Sequence, residues 1–376
     1  MKWKELLEIR SGKNQKTVID PNGQYPIYGS GGIIGYATEY LCPPKTTIVG
    51  RKGTINSPIF VNESFWNVDT AFGLIPSSKL LPKYLYYFCC HFNFTALDKS
   101  TTIPSLAKRD LENIEMNVPP LDEQFRIVAH IEELFSELDK AVDTLKTTKE
   151  QLEVYRQAVL KDAFDNAQAM CERFTPIEEL LVTDRKGMST GPFGTMLKKH
   201  EHKTTGVPML GIENIDSGKF IDGNKIFVTP EKAAELKSFA LKSGDIIISR
   251  SGTVGELCVV PPRMEGALLS TNLMRVSLDC QKVLPEYFIY LFQSKGIVLD
   301  QVKELCKGST RIFLNQTILK QIRFPIPNVH EQLQIINTIE SRLTFCDNIE
   351  KTVDTALAQA DAMRQSILKQ SFEGKI

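Results

Sequence analysis

Two short turns carry the residues best suited to chemistry. Gly50-Arg51-Lys52-Gly53-Thr54 follows the apolar run Thr47 to Val49, and Ser249-Arg250-Ser251-Gly252-Thr253 follows Asp245 to Ile248. Each sets an arginine, a hydroxyl side chain and a glycine within five positions. A guanidinium on such a turn can grip a phosphate or lie bidentate on a guanine edge, while the glycine lets a backbone come close. The bland alternative is a folding turn whose arginine is merely solvated. Finding Arg-x-Gly-Thr at the same place in both halves of the chain favours the first.

Other stretches offer contacts of the same kind. Ser100-Thr101-Thr102-Ile103-Pro104 and Gly308-Ser309-Thr310-Arg311-Ile312 stand 208 positions apart. Their hydroxyls can donate to phosphates or serve as helix N-caps, with Lys108 and Arg311 the nearby cations. Lys198, Lys199 and Lys203 form either a phosphate-facing patch or a plain solubilising loop. His200 and His202 flank Glu201 with no third ligand, so no metal centre is expected. Leu81-Pro82-x-Tyr84 and Leu284-Pro285-x-Tyr287 each open a helix whose rings read as core more readily than as base-stacking platforms. Catalysis finds no support: the chain has no GxxxxGK[ST] loop, HExxH, clustered Cys/His set or GxSxG elbow. Its Pro-Pro pairs lie in CPPK, VPPL and VPPR, not in the Asn/Asp-Pro-Pro-aromatic tetrad of an amino-methyltransferase.

The elements that must position these turns come from a repeat. Pro119 to Phe164 recurs without a gap as Pro327 to Phe372, so that VPPLDEQ aligns with IPNVHEQ. Each copy leads into a long heptad periodicity. In the first, Ile131, Leu138, Leu145, Leu152 and Val159 recur every seventh residue, with Val128, Phe135 and Val142 three ahead of the first three. In the second, Ile336, Ile339, Leu343, Cys346, Val353, Leu357, Ala360 and Ile367 hold the same register. Each spans about 40 residues, roughly 60 Å of helix. Neither can bury its stripe on a small domain alone, and the partner nearest to hand is the other copy, antiparallel under pseudo-twofold symmetry. Arg156 and Arg364 occupy equivalent seam positions, where they either fix register or snorkel. Asn328 with Glu331 has capping-box spacing, while Pro119 and Pro120 stop any helix from entering upstream.

At 376 residues, 42% hydrophobic and 24% charged, the chain is an ordinary globular one with more than a single core. Its eight cysteines include no CxxC pair and read as reduced thiols, and the absence of an 18-residue apolar run or a signal-peptide core predicts a cytoplasmic protein with no membrane contact. The net charge of zero divides unevenly. Residues 1–118 hold 13 Lys+Arg against 10 Asp+Glu (+3), and 171–325 hold 21 against 17 (+4). Residues 119–170 hold 6 against 11 (−5), and 326–376 hold 5 against 7 (−2). Mildly basic globular parts with acidic helices suit domains that touch phosphates. Residues 1–118 read as mainly strand and turn, with one helix at Leu81 to Phe92.

Over its whole length the chain resembles the specificity (S) subunit of type I restriction-modification enzymes, the HsdS family. The resemblance lies in the duplicated hydrophobic-Pro-Pro-Leu-x-Glu-Gln element, the helix endings LKDAF and LKQSF, and the stretches YPIYGSGG and ENIDSGKF. It implies an α+β fold with two similar β-rich target-recognition domains, 1–118 and 168–325, separated by long antiparallel coiled-coil helices at 119–167 and 326–376. Each domain would read one half of an asymmetric, bipartite double-stranded DNA site. The helices would set the half-site spacing and dock two modification (methyltransferase) subunits, with restriction/translocase subunits beyond them. S-adenosylmethionine, ATP and Mg would then belong to those partners and no cofactor to this chain. The DNA contacts expected are Tyr28, Ser30, Arg51, Lys52, Thr54, Thr102 and Lys108 in the first domain. In the second they are Lys198, Lys199, Arg250, Ser251, Thr253, Ser309, Thr310 and Arg311. One departure is that the chain starts directly in its first recognition domain, with little conserved segment ahead of it. Two other readings stay open: a coiled-coil scaffold for protein partners, and a recognition subunit of a methyltransferase-only complex.

Overall fold

The computed structural model of the chain describes residues 1–171, 173–193, 196–294, 296–306 and 313–374. The chain divides into two compact units, Met1–Thr147 with Val353–Ile376, and Thr148–Thr352. The first unit contains α1 (Trp3–Leu6), β1 (Leu7–Ser11), β2 (Tyr25–Gly29), β3 (Gly32–Ala37), β4 (Thr46–Gly50), β5 (Ile59–Val61), β6 (Trp66–Asn67), β7 (Ala71–Pro76), α2 (Pro82–His91) and α3 (Lys108–Glu112). Helix α4 (Leu121–Met170) starts in that unit and ends in the second. The second continues with β8 (Phe174–Pro176), α5 (Ile177–Leu180), β9 (Met188–Thr190), β10 (Val207–Leu210), β11 (Ile215–Asp216), β12 (Lys219–Phe220), β13 (Ile226–Val228) and α6 (Pro230–Glu235). Then come β14 (Ile246–Ser249), β15 (Leu257–Val259), β16 (Leu268–Leu269), β17 (Leu273–Val276), α7 (Pro285–Gln293), α8 (Val298–Leu305), α9 (Gln316–Gln321) and β18 (Arg323–Pro325). Helix α10 (Val329–Phe372) starts in the second unit and supplies the last segment of the first.

The two units share one plan. In the first, an antiparallel sheet runs β1-β7-β4-β5; in the second, the sheet β9-β17-β14-β15 has the same order and directions. A smaller sheet repeats as well: β2 pairs antiparallel with β3 and parallel with β6, as β10 does with β13 and β16. The strands that lead into the arginine turns are central. Every residue of β4 and of β14 is buried, which is why TTIVG and IIIS read as unbroken apolar or small runs without alternation.

The repeated sequence elements tie helix to head identically in each unit. The Gln124 side chain is fully buried; its Oε1 accepts from the Leu81 amide (2.8 Å) and its Nε2 donates to the carbonyls of Lys79 (3.0 Å) and Pro119 (2.9 Å). Gln332 does the same with the Leu284 amide and the Lys282 and Pro327 carbonyls, each at 2.8 Å. A single primary amide therefore satisfies an orphan N–H at the start of α2 or α7 and two loop carbonyls. The tyrosine of Leu-Pro-x-Tyr adds a second tie: Tyr84 donates to Asn117 O (3.2 Å) and Tyr287 to Pro325 O (2.8 Å). Onto each of these rings packs the last phenylalanine of a repeat, Phe372 on Tyr84 (centroids 5.1 Å apart) and Phe164 on Tyr287 (5.4 Å), both edge-on.

Within each unit the segments of α4 and α10 pair antiparallel. In the second unit Arg156 binds Asp347 (2.6 Å) and Glu350 (2.9 Å), and Arg342 binds Asp162 (3.3 Å), so numbers rise on one helix as they fall on the other. In the first unit Arg364 binds Asp139 and stands over the Phe135 ring at 5.1 Å. Both seam arginines thus reach carboxylates on the partner helix, the arrangement that fixes register. Along the seam Val128, Ile131, Leu152, Val159, Ile336, Ile339 and Val353 are buried; Phe135, Leu138, Val142, Leu145, Leu343, Leu357 and Ile367 are half-buried. Helix α4 outruns the repeat by six residues to Met170, because Asp165-Asn-Ala-Gln-Ala-Met170 contains no breaker. The Asn328–Glu331 capping box forms, each residue's amide donating to the other's side chain (3.1 and 3.0 Å).

Candidate nucleic-acid interface

In the first unit three loops meet around Arg51. Its amide donates to Thr70 O (2.7 Å), its carbonyl accepts from the Leu106 amide (2.8 Å), and its Nη1 donates to Asp69 O (3.3 Å). The 100–105 loop closes over the turn, with the Gly53 amide on Pro104 O (2.9 Å) and a β-bridge between Lys52 and Ser105. Two glycines make this fit possible. Gly53 has φ +81°, and a side-chain carbon at Gly50 would stand 2.0 Å from Thr54 O. The β2–β3 turn completes the cluster, since Ser30 lies against Gly50 and Gly53, and Gly31 against the Thr54 hydroxyl.

These loops enclose a hollow of about 470 Å³ lined by Arg51, Lys52, Lys99, Ser100, Ser105 and Lys108, among others. Asp98 holds its rim: Oδ1 accepts from the Ser100 hydroxyl (2.6 Å) and from the Ser100 (2.9 Å) and Ser105 (3.0 Å) amides, which draw the carboxyl below its ordinary range. Thr102 and Ile103 stand exposed at the crest of the same loop. Tyr28 is half-buried, its ring edge-on to Phe65 at 5.4 Å, and burial with the Glu63 carboxylate raises its phenol.

The second unit repeats the three anchors of the arginine. The Arg250 amide donates to Asn272 O (3.0 Å), its carbonyl accepts from the Leu314 amide (3.1 Å), and Nη1 donates to Thr271 O (3.2 Å), with Nε adding Leu314 O (3.3 Å). Gly252 has φ +79°. Ser251 and Thr253 are exposed, and the Arg250 guanidinium lies 5.5 Å from the Phe193 ring. A guanidinium has about five N–H donors, so neither arginine is saturated by its carbonyl anchors. Each is clamped in place by its carbonyl anchors, as the turn-locking reading expects, with donors left over. Lys198 and Lys199 stand exposed at a short 3-10 turn whose Glu201 pairs with Lys232 (2.9 Å), apart from the bonds that hold Arg250. Ser309, Thr310 and Arg311 lie outside the described residues. Asp98, Asp69 and Phe193 escaped sequence reasoning; only the Asp98-x-Ser100 spacing of an Asx turn signalled the first. Among the described residues no group of three His, Cys, Asp or Glu is placed to hold a metal ion, and no helix is long and apolar enough to cross a membrane.

Comparison with known proteins gives these loops a context. The profile of the type I restriction modification DNA specificity domain matches residues 1–154 and 193–359. The chain is 23% identical, over an alignment 398 positions long, to the type I restriction enzyme EcoBI specificity subunit of Escherichia coli, covering 99% of this chain and 80% of that one. Among solved structures, a chain from work on complex assembly and conformational transition of the type I restriction-modification system aligns with a TM-score of 0.75 at 15% identity, covering 100% of this chain and 97% of that one. The HsdS subunit from Thermoanaerobacter tengcongensis aligns with a TM-score of 0.55, also at 15% identity, covering 100% and 96%. At these identities the structural matches establish the fold.

Proposed function

From the premise that the chain belongs to the family of type I restriction-modification specificity subunits, which recognise DNA without catalysis, we propose that its two β-rich parts each read one half of an interrupted double-stranded site. The observation that carries this reading is the duplicated arginine turn, anchored by matched carbonyls in both units yet surrounded by different side chains. Matched anchors give both heads the same pose on a phosphate backbone, while differing neighbours read different bases, so the site is asymmetric. The helix pair sets the separation of the half-sites. Tethering two weak readers raises the effective concentration of the second once the first is bound.

Two modification subunits dock on the helices and supply S-adenosylmethionine chemistry, with restriction subunits adding ATP- and Mg-dependent steps. Exposed apolar side chains recur at equivalent positions of both repeats. Phe125 is 56% and Leu333 49% exposed, and Tyr155 is 46% and Met363 54% exposed. Contact with a partner is what would cover such side chains at matching places. Phe125→Asp and Leu333→Asp should each weaken one of the two docking events by about 2 kcal/mol or more, as loss of an interface anchor does. Light scattering of the reconstituted complex would then show one modification subunit fewer; unchanged mass for both variants would count against this surface.

The recognition reading is tested by mapping methylated adenines in cells that carry the chain with its methyltransferase. Arg51→Ala should relax or weaken one half-site and Arg250→Ala the other, by about 1–3 kcal/mol each if the contact is bidentate to a base. Identical methylation by wild type and both variants would remove the two arginines from the reading surface.

A further inference from the structure

The second unit contains a groove of about 750 Å³ bounded by α4, α7, α10 and the β11–β12 hairpin. Leu160, Ile289, Phe292 and Leu343 give it an apolar floor, and its walls carry seven carboxylates against two bases. Of the bases, Arg156 is committed to Asp347 and Glu350, leaving Lys219 alone beside Glu256, Glu286 and Glu340. No ion pair reaches those three carboxylates among the described residues. Burial raises the Tyr290 phenol above its usual range, and Glu340, Glu286 and Asp347 push it the same way.

The first unit shows the same framework neutralised. There Lys83 pairs with Glu132, and Tyr87 donates to that same carboxylate at 3.3 Å. Glu340 is the repeat counterpart of Glu132, and Tyr290 that of Tyr87, but the Lys83 position in Leu-Pro-x-Tyr is Glu286. One change of sign converts an internal ion pair into two carboxylates facing one groove. Like charges beside apolar surface favour a partner that brings the opposite sign.

We propose that this groove docks a basic, amphipathic segment of a protein partner, with lysine or arginine side chains set against Glu256, Glu286 and Glu340 and an apolar side chain on the floor. At the matching place in the first unit the Lys83–Glu132 pair stands instead, so the segment binds once per chain and distinguishes the two halves of a duplicated protein. The inference rests on the reading of the chain as a subunit of a larger assembly.

The test uses the full chain assembled with its modification and restriction subunits. Carbodiimide cross-linking, read by mass spectrometry, is expected to join Glu286 or Glu340 to a lysine of another subunit and to leave Glu132 unlinked. Glu286→Lys, which restores the first unit's pairing, is expected to weaken assembly at least tenfold at low salt while leaving the methylated sequence unchanged. Unchanged assembly by Glu286→Lys, or cross-links only to this chain's own lysines, would overturn the proposal. So would saturable spermidine binding that Glu286→Lys abolishes while assembly persists, which would assign the groove to a small cation. The two readings fail separately: a wild-type complex that never methylates DNA sinks recognition, whereas one that methylates with an indifferent Glu286 sinks only the groove.

Discussion

Replacing Gln332 by Ala should destabilise the second unit by about 3–5 kcal/mol, a large effect for an uncharged side chain. The reason is the number of buried groups it orphans. The Leu284 amide and the Lys282 and Pro327 carbonyls all lose their partner, and each unsatisfied buried group costs about 1–3 kcal/mol when water cannot fully reach it. Gln332→Glu should be at least as harmful, because it keeps the acceptor for Leu284 but loses both donors and buries a charge. Gln124→Ala should do the same to the first unit through Leu81, Lys79 and Pro119. Amide hydrogen exchange gives the decisive readout: Leu284 exchange should accelerate in the Gln332 variant and Leu81 exchange in the Gln124 variant. Unaltered protection at both amides would show that the glutamines are incidental to the head–helix joint.

Phe372→Ala should loosen the first unit even though the residue stands at the far end of the chain. Truncating a fully buried phenylalanine costs about 3–5 kcal/mol through lost burial and the cavity left behind, and the half-buried Phe372 should cost about half of that. Phe372 contacts Tyr84 at 5.1 Å, Phe88 at 5.6 Å and the His91 ring at 5.8 Å, so the damage should concentrate on α2. Phe164→Ala should act on α7 through Tyr287, whose ring is completely buried. Limited proteolysis of the two variants should nick different heads, residues 1–118 for Phe372→Ala and residues 171–325 for Phe164→Ala. Cleavage of the same head in both variants would contradict the assignment of each helix end to its own unit.

Much of this architecture was legible because duplication exposes what local propensity hides. VPPLDEQ and IPNVHEQ, Leu-Pro-x-Tyr and the terminal Phe of each repeat stand out by recurrence alone. Their purpose did not, since Gln124 bonds to Lys79 and Leu81 more than 40 positions away, and no periodicity encodes that. Heptad spacing disclosed the seam and placed Arg156 and Arg364 within it, but whether they snorkel or bridge depended on Asp347, Glu350 and Asp139 on the opposite helix. The parallel pairings of β2 with β6 and β10 with β16 involve two residues per strand, too short to register as a pattern. The arginine turns were visible, whereas the carbonyl clamps on Arg51 and Arg250 belong to backbone geometry that side-chain identity does not reveal.

The contact between Tyr84 and Phe372 also bears on biosynthesis. The two rings are 372 − 84 = 288 positions apart, and a ribosome adding about 5–20 residues per second needs roughly 15–60 s to supply the second after the first. Throughout that interval the nascent amino-terminal segment lacks the ring that packs edge-on against Tyr84 and Phe88. A product that stops short of Phe372 lacks that contact altogether, so its first unit should be more open to proteolysis than that of the full chain.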